Sequence, residues 1–223
     1  MKNVLKSFGI IAVAAVIMFG VAACDDGDDD GASSAPLGAT MTLSGQVYTD
    51  NWETGEFNAI TVNGEVSGHL NGDIYGPPIV GNGTITAGQL SITIDTPSLD
   101  DLYEIGDGWI FDIDNLTIDS PTARIASLDL GVASASAGSG AVYLQRYTYN
   151  NNTLESVRYY FVDRDVHISA DRIEDDWYVT NAVNINLKAG WNAIHYKEVW
   201  TETSNTKTIS AANPRNLRWV VDL

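Results

Sequence analysis

The segment WYVTNAVNINLK, residues 177–188, sets Trp177, Val179, Val183, Ile185 and Leu187 at odd positions and Thr180, Asn184, Asn186 and Lys188 at even ones. Successive side chains on a strand point to opposite faces, so this pattern predicts a strand with one apolar and one wet face. Working outward, the same period of two returns. Met41, Leu43, Gly45 and Val47 alternate with Thr42, Ser44, Gln46 and Tyr48, and Ile60, Val62, Val66 and Leu70 alternate with polar neighbours. Ile85 and the trio Leu90, Ile92 and Ile94 flank an Ala87-Gly88 turn, and SVRYYFV (156–162) reads as a further strand. Gly76-Pro77-Pro78, Gly81-Asn82-Gly83, Asn150-Asn151-Asn152 and Ala189-Gly190 supply turn chemistry between the runs.

Helix signals are few. Ser98-Leu99-Asp100-Asp101-Leu102-Tyr103 predicts one or two turns, with Ser98 as cap and the aspartates in the first turn. No segment is long enough to serve as the helical crossover that parallel neighbours need, which predicts an antiparallel all-β fold. Many short strands suit a sandwich or a barrel. The reading adopted is an antiparallel β-sandwich, Ig-like or related, over residues 39–223, with sub-lobes at 39–96 and 109–223. SASAGSG at 134–140 reads as a flexible hairpin loop.

The amino-terminal segment fixes an expected address. Lys2 and Lys6 precede the uncharged run FGIIAVAAVIMFGVAAC (8–24), the layout of a secretory signal. Val21-Ala22-Ala23-Cys24 resembles the lipobox of bacterial lipoproteins. In that family the signal is cut before the cysteine, here between residues 23 and 24, and Cys24 carries the lipid on its sulfur. Small residues admit the peptidase and the thiol takes the lipid. Several acyl chains, palmitate among them, make a stable membrane anchor at about 0.8 kcal/mol per buried methylene. Cys24 is the one cysteine of the chain, so no disulfide, redox pair or cysteine nucleophile is expected.

Cys24–Gly38 reads CDDGDDDGASSAPLG, too poor in apolar residues to order itself. It is read as an acidic tether able to reach on the order of 50 Å when extended. Asp26, Asp28, Asp30 and Gly31 match the opening of an EF-hand loop, but the twelfth position is Leu37 rather than a bidentate Glu, so calcium is not expected there. The whole chain carries 12 Lys+Arg against 29 Asp+Glu, a net charge of −17. That balance argues against nucleic acid and anionic headgroups as partners of the body.

Three patches in the second half carry a resemblance: FVDRDVHISAD (161–171), INLKAGWNAIHY (185–196) and NLRWVV (216–221), with LSGQVYT (43–49) earlier. They resemble a group of uncharacterised lipoproteins of spirochaetes and related envelope-bearing bacteria, with Ala170 standing where that group has glycine. The resemblance implies a lipid-anchored β protein without an assigned activity. Within the patches, Ala189-Gly190 suits a tight turn with positive φ and Trp191 a core plug beside it. Asp163-Arg164-Asp165 reads as strand, with the acids on one face and Arg164 pairing across strands.

Candidate chemistry is thin. Asp112 and Asp114 in WIFDIDN share a strand face about 7 Å apart, with Asp119 nearby. They are the candidate metal (calcium) site, and Asp171, Glu174, Asp175 and Asp176 form a second acidic cluster. His69, His167 and His195 form no metal-binding spacing. Ser139 lacks the strand-to-helix context of a hydrolase nucleophile, and no phosphate loop or dinucleotide fingerprint is present. Tyr147 with Tyr149, and Tyr196 with Trp200, are spaced to share faces and are the candidate sugar platforms. The functional expectation is a non-enzymatic, lipid-anchored cell-envelope protein, with a glycan- or calcium-binding module as the alternative, and an envelope protein or glycan as partner.

Overall fold

The computed structural model describes residues 37–51, 54–71, 78–105, 116–133, 141–150, 152–174 and 177–221. The first half gives β1 (Met41–Asn51), β2 (Glu56–Ala59), β3 (Gly64–Leu70), β4 (Ile79–Thr86), β5 (Gln89–Ile94), β6 (Tyr103–Glu104), β7 (Thr117–Ile118) and β8 (Arg124–Ala133). The second half gives β9 (Ala141–Asn150), β10 (Thr153–Val162), β11 (Val166–Ala170), β12 (Ile173–Glu174), β13 (Tyr178–Thr180), β14 (Val183–Leu187), β15 (Gly190–Trp200), β16 (Asn205–Ser210) and β17 (Arg218–Val221). A 3-10 turn, Leu99–Asp101, lies between β5 and β6, and its Asp100 N–H donates to Ser98 Oγ at 3.4 Å.

The all-β expectation holds; the open sandwich does not. The large sheet closes into an eight-stranded barrel in the order β10-β9-β17-β1-β5-β4-β3-β8, and β8 returns to β10. Three features close it. First, β1 and β17 pair in parallel, Val47 opposite Trp219 and Tyr48 opposite Val220. Parallel neighbours need a long crossover; here the chain between them serves, with no helix required. Second, a Cβ at Gly81 would stand 2.5 Å from Thr93 O, and one at Gly83 would collide with Ser91 O. Only glycine lets β4 and β5 approach this closely, which tightens the wall. Third, β8 is shared. Leu130–Ala133 pair with Leu144–Ala141 of β9, whereas Ile125–Leu128 pair with Val162–Tyr159 of β10.

An eight-stranded barrel has room inside for its own side chains. Val47, Leu70, Ile92, Ile94 and Leu144 belong to this filling. Trp191, with no exposed surface, packs edge-on to Phe161 with ring centroids 5.5 Å apart, and its Nε1–H donates to Asp95 O at 3.2 Å. Gly190 before it has φ +104, and a Cβ there would stand 2.6 Å from Gly38 O. Leu37 N–H donates to Trp191 O at 2.8 Å, so the chain enters the barrel across this tryptophan.

A second core lies outside the barrel wall. The three-stranded sheet β14-β11-β7 brings Val166, Ile168, Val183, Ile185 and Leu187 into a cluster with Tyr160 and Val162 of β10 and Ile194 of β15. Strands β10 and β15 are therefore covered on both faces, and Tyr159–Val162 and Gly190–Ile194 are buried without alternation.

Segment 177–188 is not one strand. It breaks at residues 181–182 into β13, in the barrel sheet, and β14, in the three-stranded sheet. Trp177 is consequently 45% exposed, whereas Val183, Ile185 and Leu187 are buried. Asp163-Arg164-Asp165 is likewise the connection between β10 and β11 rather than a strand, and Arg164 pairs with its neighbour Asp163 at 2.8 Å rather than across strands.

Candidate functional site: the fork of three strands

Cys24, Asp112 and Asp114 lie outside the described residues. Asp119 is turned to backbone, its Oδ1 accepting His167 N–H at 2.9 Å. Glu174 pairs with Arg172 at 2.6 Å, and Asp175 and Asp176 lie outside the described residues. Among the described residues no group of three or more His, Cys, Asp or Glu side chains is placed to hold a metal ion.

The histidines stay apart. Ser67 Oγ and His69 Nε2 are 2.7 Å apart on one face of β3, but neither residue lines either hollow described below. His167 Nε2 meets Asn184 Oδ1 at 2.8 Å. His195 Nε2 stands 3.2 Å from Glu155 Oε2. Burial pushes the His195 pKa below the ordinary imidazole value, outweighing the opposing pull of Glu155.

The expected sugar platforms are used for packing. Tyr147 is buried edge-on to Phe57, ring centroids 6.0 Å apart, and Tyr149 lies against Trp200 at 6.4 Å. Tyr196 is buried in the second core.

What the molecule offers instead arises where β8 passes from β10 to β9. The last β8–β10 pair is Leu128 with Tyr159, the first β8–β9 pair is Leu130 with Leu144, and the last β9–β10 pair is Arg146 with Val157. Between these pairs sit Asp129, Gln145 and Arg158, one from each strand. A cavity of about 610 Å³ opens here, lined by these three residues and by the core residues Leu128, Val157 and Tyr159. Its volume lies in the range of small-molecule sites, roughly 300–1,000 Å³.

Tyrosine dominates the polar lining. Tyr143 is 40% exposed, whereas Tyr159, Tyr160 and Tyr196 are buried. Tyr160 and Tyr196 join hydroxyl to hydroxyl at 2.9 Å. Tyr159 OH accepts a hydrogen bond from the Arg146 guanidinium at 2.9 Å. Burial raises the pKa of Tyr159 and of Tyr160, so both hydroxyls remain protonated hydrogen-bonding groups. The Arg158 guanidinium lies 4.9 Å and Lys207 Nζ 5.6 Å from the Tyr196 ring centroid. The site therefore combines flat rings, hydroxyls and fixed charges of both signs, which suits recognition of a polar ligand with an apolar face. None of this constellation was legible in sequence. Its members come from β8, β9, β10, β15 and β16, and SVRYYFV showed only that one of these segments is a strand.

Comparison with protein-family models, with curated proteins and with solved structures finds no match.

Proposed function

We propose that this chain is a lipid-anchored protein of the bacterial cell envelope with a non-catalytic binding role, and that its ligand occupies the fork cavity. The anchor reading rests on the residues around Cys24. The binding reading rests on the cavity, where tyrosine rings and hydroxyls meet Asp129 and Arg158 in a space fit for a small molecule. Ring faces beside hydrogen-bonding groups favour a sugar-like ligand, apolar on one face and hydroxylated at its edge, over a bare cation.

The experiment is thermal unfolding of the full chain in neutral detergent against a panel of envelope oligosaccharides. A ligand at 100 times its dissociation constant adds about 2.7 kcal/mol and raises the midpoint. The Ser156→Trp variant, which fills the cavity from its lining, should lose that rise. No rise with any sugar, or a rise that survives Ser156→Trp, would remove the cavity as the binding site. Labelling with an alkyne-bearing palmitate, lost in Cys24→Ala, checks the anchor separately.

A further inference from the structure

A second hollow, of about 350 Å³, opens beside β1 where β17 begins; it shares Arg146 and Trp219 with the fork cavity and is otherwise lined by different residues. Arg146, Arg215 and Arg218 line it, with Ser44 and Asn216 adding a hydroxyl and an amide; no carboxylate is among its lining residues. In a chain of net charge −17 this composition is inverted. Four other cations, Arg164, Arg172, Lys188 and Lys197, each pair with a carboxylate. Among the described residues, none pairs with Arg146, Arg215 or Arg218.

Two of the three guanidiniums are held without being neutralised. Arg146 donates to Tyr159 OH, to Asn213 Oδ1 and, at 2.7 Å, to Pro214 O, and its guanidinium carbon lies 5.8 Å from the Trp219 ring centroid. These bonds also tie down the segment that carries Arg215 and Asn216. Arg218 lies over the rings of Phe57 and Tyr48, at 4.7 and 5.3 Å. Carbonyl, amide and ring partners orient a guanidinium but leave its charge in place. Three like charges around one hollow repel unless an anion joins them.

We propose that this hollow binds a phosphate-type oxyanion. The planar guanidinium fork matches such a group with two parallel hydrogen bonds, and two of the three forks are already fixed, which lowers the ordering cost of binding. Arg215, Arg218, Ser44 and Asn216 line this hollow and not the fork cavity, so either site stands if the other fails.

The test is thermal unfolding of the full chain in neutral-detergent micelles, in sodium phosphate and in sodium chloride of matched ionic strength. The expected result is a saturable rise in midpoint with phosphate alone. Arg215 makes no hydrogen bond or ion pair among the described residues, so Arg215→Gln should fold normally and need about tenfold more phosphate for half the rise. The double variant Arg215→Gln/Arg218→Gln should lose the rise altogether. Equal behaviour in the two salts overturns the proposal, and so does a rise that the double variant retains at unchanged concentration. Phosphatidylglycerol added to the micelles, in place of inorganic phosphate, separates the sources. A rise with the lipid at far lower concentration assigns a headgroup, and a rise with inorganic phosphate alone assigns a soluble phosphate.

Discussion

Asp165 grips the turn before Ala189: its Oδ1 accepts the Ala189 N–H at 2.9 Å, and its Oδ2 takes Lys188 Nζ at 2.8 Å. Two residues earlier, Asp163 Oδ1 accepts Arg124 N–H at 2.8 Å while its own N–H donates to Arg124 O at 3.0 Å. The two acids of the β10–β11 connection thus fasten neighbouring segments on either side. Arg164 and Lys188 complete their charges.

This clasp should fail in acid. Hydrogen bonds from Lys188 and Ala189 hold the Asp165 pKa below the usual carboxylate value. Burial of Asp163 works the other way, but the bonds from Arg164 and Arg124 win and lower it too. Groups with depressed folded pKa values stabilise above the unfolded value, about 3.9, and lose that contribution as pH falls through the folded value. Asp163→Ala should cost about 1 kcal/mol at pH 7, and Asp165→Ala should lower the midpoint as well. Both differences from wild type should shrink toward zero in urea titrations repeated at progressively lower pH.

His195 gives a dependence of the same sign at higher pH. Its folded pKa is lowered by burial, against the attraction of Glu155 and with help from Lys197. Below about pH 6.5 the unfolded chain takes up a proton that the folded chain resists, so stability falls as pH drops from there to the lowered folded value. His195→Gln should flatten the stability profile just below about pH 6.5. An unchanged slope would show that His195 is not the group responsible.

Trp191 should be the costliest single truncation in the barrel. It has no exposed surface, and Trp191→Ala removes its packing on Phe161 and its bond to Asp95 O. Denaturant unfolding should show a loss of about 3–5 kcal/mol. Trp191→Phe should recover part of it without the hydrogen bond.

Two buried asparagines should respond in opposite ways. Asn192 accepts Lys188 N–H at 3.0 Å and donates to Lys188 O and Gly190 O, both at 2.8 Å. Asn192→Ala leaves three backbone groups unpaired and should cost about 3 kcal/mol. Asn205 is also buried, but its Oδ1 has no hydrogen-bond partner. Asn205→Val should stay within about 1 kcal/mol of wild type, on the stabilising side, because it removes an oxygen that pays for burial without a bond.

Barrel closure can be tested at Gly83. A β-branched side chain there collides with the Ser91 carbonyl and the Ile92 backbone, so Gly83→Val should force β4 from β5. The expected loss is about 1–3 kcal/mol or more, with amide exchange rising first in β4 and β5. Protection unchanged in those strands would show that the close approach is not needed.

Much of the local structure was legible in sequence. Period two at Met41–Val47 and Val183–Leu187 marked strands whose odd residues are the buried ones. Ala87 and Gly88 take the positive φ values, 49 and 78, of a tight hairpin turn. Gly190 takes its positive φ, and Trp191 beside it is fully buried. These features depend on contacts between near neighbours or on one residue's conformational range, which the chain states directly.

Closure of the sheet and the two hollows were not legible. Alternation shows which face of a strand leaves water, but that face is covered equally well by a second sheet or by the same sheet curling round. Val47 meeting Trp219, and β8 entering between Leu144 and Tyr159, are pairings between distant segments that no local pattern specifies. Arg146 and Arg215 are likewise far apart in the chain and share a hollow only because β17 lies between β9 and β1. The sequence by itself determined many of the strands with their buried faces and the turns at Ala87-Gly88 and Ala189-Gly190, because these follow from side-chain alternation and backbone freedom; Gly81-Asn82-Gly83, expected as a turn, instead lies within β4. The tertiary structure alone decided barrel over sandwich and which charges meet, because those depend on long-range pairing that alternation leaves open.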